Sequence, residues 1–103
     1  MISLIEDKQR PLTDLCRRYG VQRLELFGSA AAGDFDPSRS DLDFLVEFLP
    51  DQHLGPWLRH YFALRSELSQ LFERPVDLVM ANAVKNPHFR RELERTRTLL
   101  YAA

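Results

Sequence analysis

Asp41 and Asp43 stand two residues apart in "DLDFLVEF", residues 41–48, among Leu42, Phe44, Leu45 and Val46. Side chains alternate along a strand, so the two carboxylates share one face while Leu42 and Phe44 share the other. Like charges at that spacing repel and resist desolvation, so something should compensate them. A strand with one wetted face could simply expose both. A third carboxylate, Asp77, sits inside the short apolar run "PVDLV". Aspartate is disfavoured in strands, so its recurrence in two strands of one small sheet points to a shared purpose. Three carboxylates on adjacent strands would form a hard, oxygen-rich cluster suited to Mg2+, an ion that also takes phosphate oxygens of a substrate. Gly28-Ser29, just after the apolar "RLELF", supplies the complementary half. Gly28 lets the backbone approach a ligand closely, and Ser29 would head a short helix whose free amides favour anions.

These residues need a scaffold, and the chain reads as α/β with no internal repeat or low-complexity segment. Residues 11–19 place Leu12, Leu15, Cys16 and Tyr19 at helical spacing, with Gly20 as the stop. Pro11 either opens this helix or kinks a longer one beginning near Ser3. Residues 23–27 alternate as a half-buried strand, with Leu24 and Leu26 facing the same way. A polar loop over 33–40 leads to the strand 41–48, and a second loop runs from Pro50 to Pro56. The longest helix is expected over 56–72, with Leu58, Tyr61, Phe62, Leu68, Leu71 and Phe72 on its apolar stripe. A third strand follows over 75–80. Asn86-Pro87 pairs an N-cap with a proline at the first helical position, opening a helix to about Arg97. "TLLY", 98–101, is a final short apolar segment.

Composition narrows the classes of function. A length of 103 residues suits one domain, 1–103, and 45% hydrophobic with 28% charged residues is ordinary for a soluble globular protein. A formal charge of -1 offers no global field for nucleic acid or anionic lipid, so a polyanion would need a local site. Cys16 is the only cysteine, which excludes an intrachain disulfide and a cysteine-based zinc cluster. The N-terminus lacks the apolar core of a signal peptide, and no apolar run approaches membrane-spanning length. A cytoplasmic protein is the expectation.

The combination of strand, Gly28-Ser29, loop, Asp41-Leu42-Asp43 strand and "RPVDLV" resembles the GSx10DxD signature of the minimal nucleotidyltransferases (MNT), small relatives of the DNA polymerase β superfamily. The resemblance runs from the helix before "LFGS" to the terminal "LLY", with eleven residues here between Ser29 and Asp41 and Ala32 where a basic residue is common. It implies a single nucleotidyltransferase domain, a small mixed sheet backed by helices, and two-metal transfer of a nucleoside monophosphate. In that scheme Asp41 and Asp43 bridge two Mg2+ ions and bind the triphosphate of ATP through them. Asp77 joins one ion and helps deprotonate the acceptor hydroxyl, while Gly28 and Ser29 hold the β- and γ-phosphates. Two ions so placed stabilise both the attacking and the leaving oxygen of an in-line displacement. Arg39 and Lys85 are auxiliary candidates for phosphate contact, with ordinary solvated surface charge the stronger reading of each. The resemblance further implies an acceptor supplied in trans, a tyrosine hydroxyl of a HEPN toxin that receives AMP, with this chain as antitoxin. Two alternatives stay open: neutralisation of the toxin by binding alone, and transfer to a different acceptor. Homo- or hetero-oligomers are compatible with either.

Other residues that could carry chemistry have plainer readings. His53, His60 and His88 show no ligand spacing and are expected to be structural. Cys16 lies on an apolar helix stripe and reads as a small core residue. Trp57, Tyr61 and Phe62 could form a base-stacking platform, but their helical spacing indicates core or partner surface. "RRELERTR", 90–97, mixes charges and reads as a solvated helix face.

Overall fold

The computed structural model describes residues 3–28, 41–50, 58–81 and 87–103. The elements run α1 (Ser3–Glu6), α2 (Gln9–Arg18), β1 (Val21–Phe27), β2 (Leu42–Phe48), α3 (Arg59–Phe72), β3 (Val76–Met80), α4 (Pro87–Thr96) and β4 (Thr98–Ala102). The described strands form one mixed sheet in the order β3-β2-β1-β4. β1 pairs antiparallel with β2 and β4, while β2 and β3 are parallel. The terminal apolar segment is therefore a strand, and it closes the sheet beside β1.

Pro11 neither opens nor kinks a long helix. The break falls at Asp7-Lys8, where the Lys8 N–H donates to Ile5 O at 3.1 Å and Leu12 N–H resumes the ladder onto Lys8 O at 2.9 Å. Pro11 is the third residue of α2, inside the first turn, where a missing N–H removes no intrahelical bond. β1 starts at Val21 rather than residue 23, with a register shift between Val21 and Arg23 that explains the lost alternation.

Strand alternation gives the sheet two unlike faces. Leu24, Leu26, Leu42, Phe44, Val46, Val76 and Leu78 pack against α2 and α3 in the main core with Leu12, Cys16, Leu64, Leu68 and Phe72. The Phe44 and Phe72 rings stack with centroids 5.8 Å apart. On the opposite face Phe27 and Leu45 meet Leu93 of α4, with Val79 and Ala81 beside them. Burying each such side chain contributes about 1.5–3 kcal/mol, so both faces help fix the register.

The expected stripe of α3 needs correction. Leu64, Leu68 and Phe72 form its buried line, with Tyr61 and Leu71 half-buried against the core. Phe62 is 51% and Leu58 is 43% exposed. Phe62 points roughly opposite to Leu64 at 100° per residue, and Leu58 precedes the helix with φ 55°. Cys16 is fully buried, and burial pushes its thiol up to about 12, as an inert core residue requires. His60 is structural: its Nε2 lies 2.8 Å from Tyr19 O and its ring packs edge-on to Tyr19 and Phe48. His53 and Trp57 lie outside the described residues.

Candidate active site

Asp43 occupies the interior of the sheet, directly between Phe27 of β1 and Asp77 of β3 in the pairing register. Neighbouring residues in register point to the same face, so Asp43 and Asp77 emerge together on the side of Phe27, Leu45 and α4. Their strands are held in place by the opposite face, where Leu42, Phe44, Val76 and Leu78 are buried. Asp43 is half-buried, whereas Asp77 and Asp41, the residue just before β2, are exposed. Burial, then the charges of Asp77 and Asp41, then a hydrogen bond with Asp77 push the Asp43 carboxyl from 3.8 up to about 6. A carboxylate pair under that strain gains from any cation that neutralises it.

Gly28 closes the other side of this group. Its φ is +76°, and a Cβ at this position would lie 2.6 Å from Asp43 Oδ2. Glycine is needed on both counts, conformation and contact. The Gly28 N–H donates to Thr96 Oγ1 at 3.1 Å, and Thr96 is buried at the end of α4. That amide is thus engaged within the protein, and what Gly28 brings to a ligand is close approach rather than a donor. Ser29 and the helix expected from it, Ala32, Arg39 and Lys85 all lie outside the described residues.

Two partners in this region escaped the sequence reading. Thr96 gave no signal, being one polar residue in a charged run. Glu25 did give one, a carboxylate between Leu24 and Leu26, and it proves to be buried at 2% exposure. Arg97 Nε donates to Glu25 Oε2 at 2.6 Å and its second terminal nitrogen to Oε1 at 2.7 Å, while Arg23 Nε reaches Oε1 at 2.7 Å. The Arg97 hydrogen bonds hold the Glu25 carboxyl below its usual range, against a burial effect of opposite sign. The run 90–97 is therefore more than a solvated face. Leu93 and Thr96 are buried, and Arg97 fastens the corner between α4 and β4 to β1.

The donor set suits a hard divalent cation: three carboxylates in electrostatic contact, one of them destabilised, beside a backbone that admits close approach. Among the described residues no three such groups already converge as a finished cage. A concavity of about 440 Å3 between α3 and the β3 edge is lined by Asp41 and Asp77 together with Phe62, Arg65 and Ser69. A larger one, about 840 Å3, follows the arginines of α4 and includes none of the three carboxylates among its described lining residues. Among the described residues no helix is long and apolar enough to cross a membrane.

Known proteins place this architecture. The nucleotidyltransferase domain model matches residues 9–100. A Methanocaldococcus jannaschii chain named "putative protein adenylyltransferase" is 35% identical over 90% of this chain and 91% of its own length. A second of the same name and organism is 30% identical over 79% and 78%. A solved structure described as a "putative minimal nucleotidyltransferase" superposes with TM-score 0.72 at 29% identity, over 91% of this chain and 90% of that one. The fold alone is shared with a complex of tri-AMPylated Shewanella oneidensis HEPN toxin and MNT antitoxin, at 19% identity and TM-score 0.64 over 95% of this chain and 72% of that one. The chain belongs to the nucleotidyltransferase domain family.

Proposed function

We propose that this chain is a protein adenylyltransferase that moves AMP from ATP to a tyrosine hydroxyl of a HEPN-family partner, and so acts as its antitoxin. The observation that carries the reading is Asp43, half-buried between Gly28 and Asp77 with its carboxyl raised to about 6. An isolated carboxylate in that position only destabilises the fold, whereas a cation-binding one accounts for its burial. The relatives of this length named as adenylyltransferases, and the AMPylated toxin complex that shares the fold, support the choice of AMP and of a protein acceptor.

Asp41, Asp43 and Asp77 would hold Mg2+, which when bound neutralises triphosphate charge and favours the ionised acceptor. Asp43 orients the nucleotide from the sheet interior, and Asp41 meets it from the exposed start of β2. Gly28 keeps the backbone low enough for the cation and the phosphates it binds to approach Asp43, and Ser29, the other residue proposed to hold phosphate, lies outside the described residues. Among the described strands β3 lies at the sheet edge, so an acceptor can reach Asp77 along the concavity beside α3. Asp77 takes the hydroxyl proton as the acceptor oxygen bonds to the α-phosphorus. The bond from the α-phosphorus to the bridging oxygen then breaks, and pyrophosphate leaves.

The test uses ATP labelled on the α- or the γ-phosphate, incubated with Mg2+, this chain and a co-expressed HEPN partner. Label from the α-phosphate should move to the partner, and label from the γ-phosphate should not. Transfer of the γ label, or of neither, overturns the proposal.

A further inference from the structure

We infer that Thr96 is a positioning residue for the nucleotide turn, an inference that rests on the reading of Gly28 given above. The turn glycine is squeezed between two groups: Asp43 Oδ2 on its open side and Thr96 Oγ1 on its amide. A glycine at positive φ has wide conformational freedom, so something must select the one geometry that leaves room for Asp43. The hydrogen bond from the Gly28 N–H to the Thr96 side-chain hydroxyl does this from a distant part of the chain. Thr96 in turn is not free to follow the turn. It is buried, its carbonyl accepts from Thr98 Oγ1 at 3.4 Å, and the next residue, Arg97, grips buried Glu25 through both carboxylate oxygens.

Glu25 lies on β1 three residues before Gly28, and Arg97 adjoins Thr96. The ion pair and the threonine hydroxyl therefore tie β1 to the α4–β4 corner at two successive points. The first sets the distance between the two segments, and the second sets the orientation of the Gly28 peptide. Glu25 shares the sheet face of Asp43 but is neutralised by Arg97 and Arg23, so its carboxylate serves this clamp and not the cation. Thr96 touches no reacting atom. It acts through Gly28.

Thr96→Val keeps the side-chain volume and removes the hydroxyl, and Thr96→Ser restores the hydroxyl without the methyl. The probe is ATP with Mg2+, measured by titration calorimetry at a temperature where every variant is folded, alongside amide exchange at Gly28. Thr96→Val should weaken ATP binding about 3- to 10-fold, the scale of one hydrogen bond. It should also speed exchange of the Gly28 amide while the Leu24 and Phe44 amides stay protected. Thr96→Ser should return both readouts to within about twofold of wild type. A folded Thr96→Val that binds ATP as wild type does overturns the inference and leaves the functional reading intact. An unchanged Gly28 amide in that variant overturns it as well. A wild type that binds no ATP overturns the functional reading, and this inference falls with it.

Discussion

Replacing Asp43 with asparagine should stabilise the metal-free protein, and the gain should depend on pH. In the unfolded chain this carboxyl ionises near its ordinary value of 3.8, and in the fold near 6. Between those values the folded state holds the proton more tightly, so wild-type stability falls as pH rises through the window and stays lower above it. Asparagine carries no charge to desolvate and suffers no repulsion from Asp77 or Asp41. The displacement from 3.8 to about 6 corresponds to about 3 kcal/mol at most, at about 1.4 kcal/mol per tenfold change. Asp43 is only half-buried, and solvent screening reduces this to about 1–2 kcal/mol. For a domain of this size that is about 5–10 °C in melting temperature. Urea unfolding in chelator at pH 8 should find Asp43→Asn more stable than wild type, with the difference shrinking as pH falls below about 6 and vanishing only below the ordinary value of 3.8, where the wild-type side chain is neutral in both the folded and the unfolded state. Added Mg2+ and ATP should reverse the order, because ligand binding stabilises the wild type alone. Equal stability of the two proteins at pH 8 without metal would refute the claim that Asp43 is held under electrostatic strain.

Gly28→Ala should destabilise the fold by about 1–2 kcal/mol, from the positive φ, and abolish the melting shift caused by Mg2+ with ATP, because its Cβ would collide with Asp43 Oδ2. Calorimetry with and without ligand reads both effects. Leu68→Ala should cost about 2–5 kcal/mol in urea unfolding, since Leu68 is fully buried in the main core. Full stability in that variant would make the stripe an interface instead. Arg97→Met should cost about 2–4 kcal/mol at pH 7, because it leaves a buried Glu25 carboxylate with Arg23 alone. That cost should shrink as pH falls below the ordinary glutamate range, since a depressed carboxylate loses its stabilising charge there, opposite in sign to Asp43.

Much of the scaffold was legible because the strands are short, largely apolar runs separated by polar and proline-containing loops. "DLDFLVEF" and "PVDLV" are expected to lie on adjacent strands, and they do; the register that sets Asp43 beside Asp77 is a finding of the structure. The stripe of α3 was less legible, because Leu58 and Phe62 are as apolar as Leu64 and only the true start of the helix decides which of them faces inward. "TLLY" could not be assigned to a strand from its own residues, since its pairing with β1 is made across most of the chain length. The same holds for Thr96 and Arg97. Their partners, Gly28 and Glu25, lie in another element, and a charged run gives no hint which of its members turns inward. The carboxylates announced themselves by being costly where they are, whereas the groups that position them look ordinary until the sheet is assembled.

The central claim is that Asp77 removes the acceptor proton during AMP transfer to a protein. Intact mass spectrometry of the HEPN partner, after incubation with ATP, Mg2+ and either wild type or Asp77→Asn, tests it most directly. Wild type should add one or more AMP groups to the partner. Asp77→Asn should bind the partner equally, because one exposed carboxylate contributes little to the contact area, yet transfer should fall at least ~100-fold, the usual scale for losing a general base. Addition of AMP at similar rates by both proteins would place the base elsewhere. A partner whose mass is unchanged by either, but which both neutralise, would contradict the account and make this chain an antitoxin by binding alone.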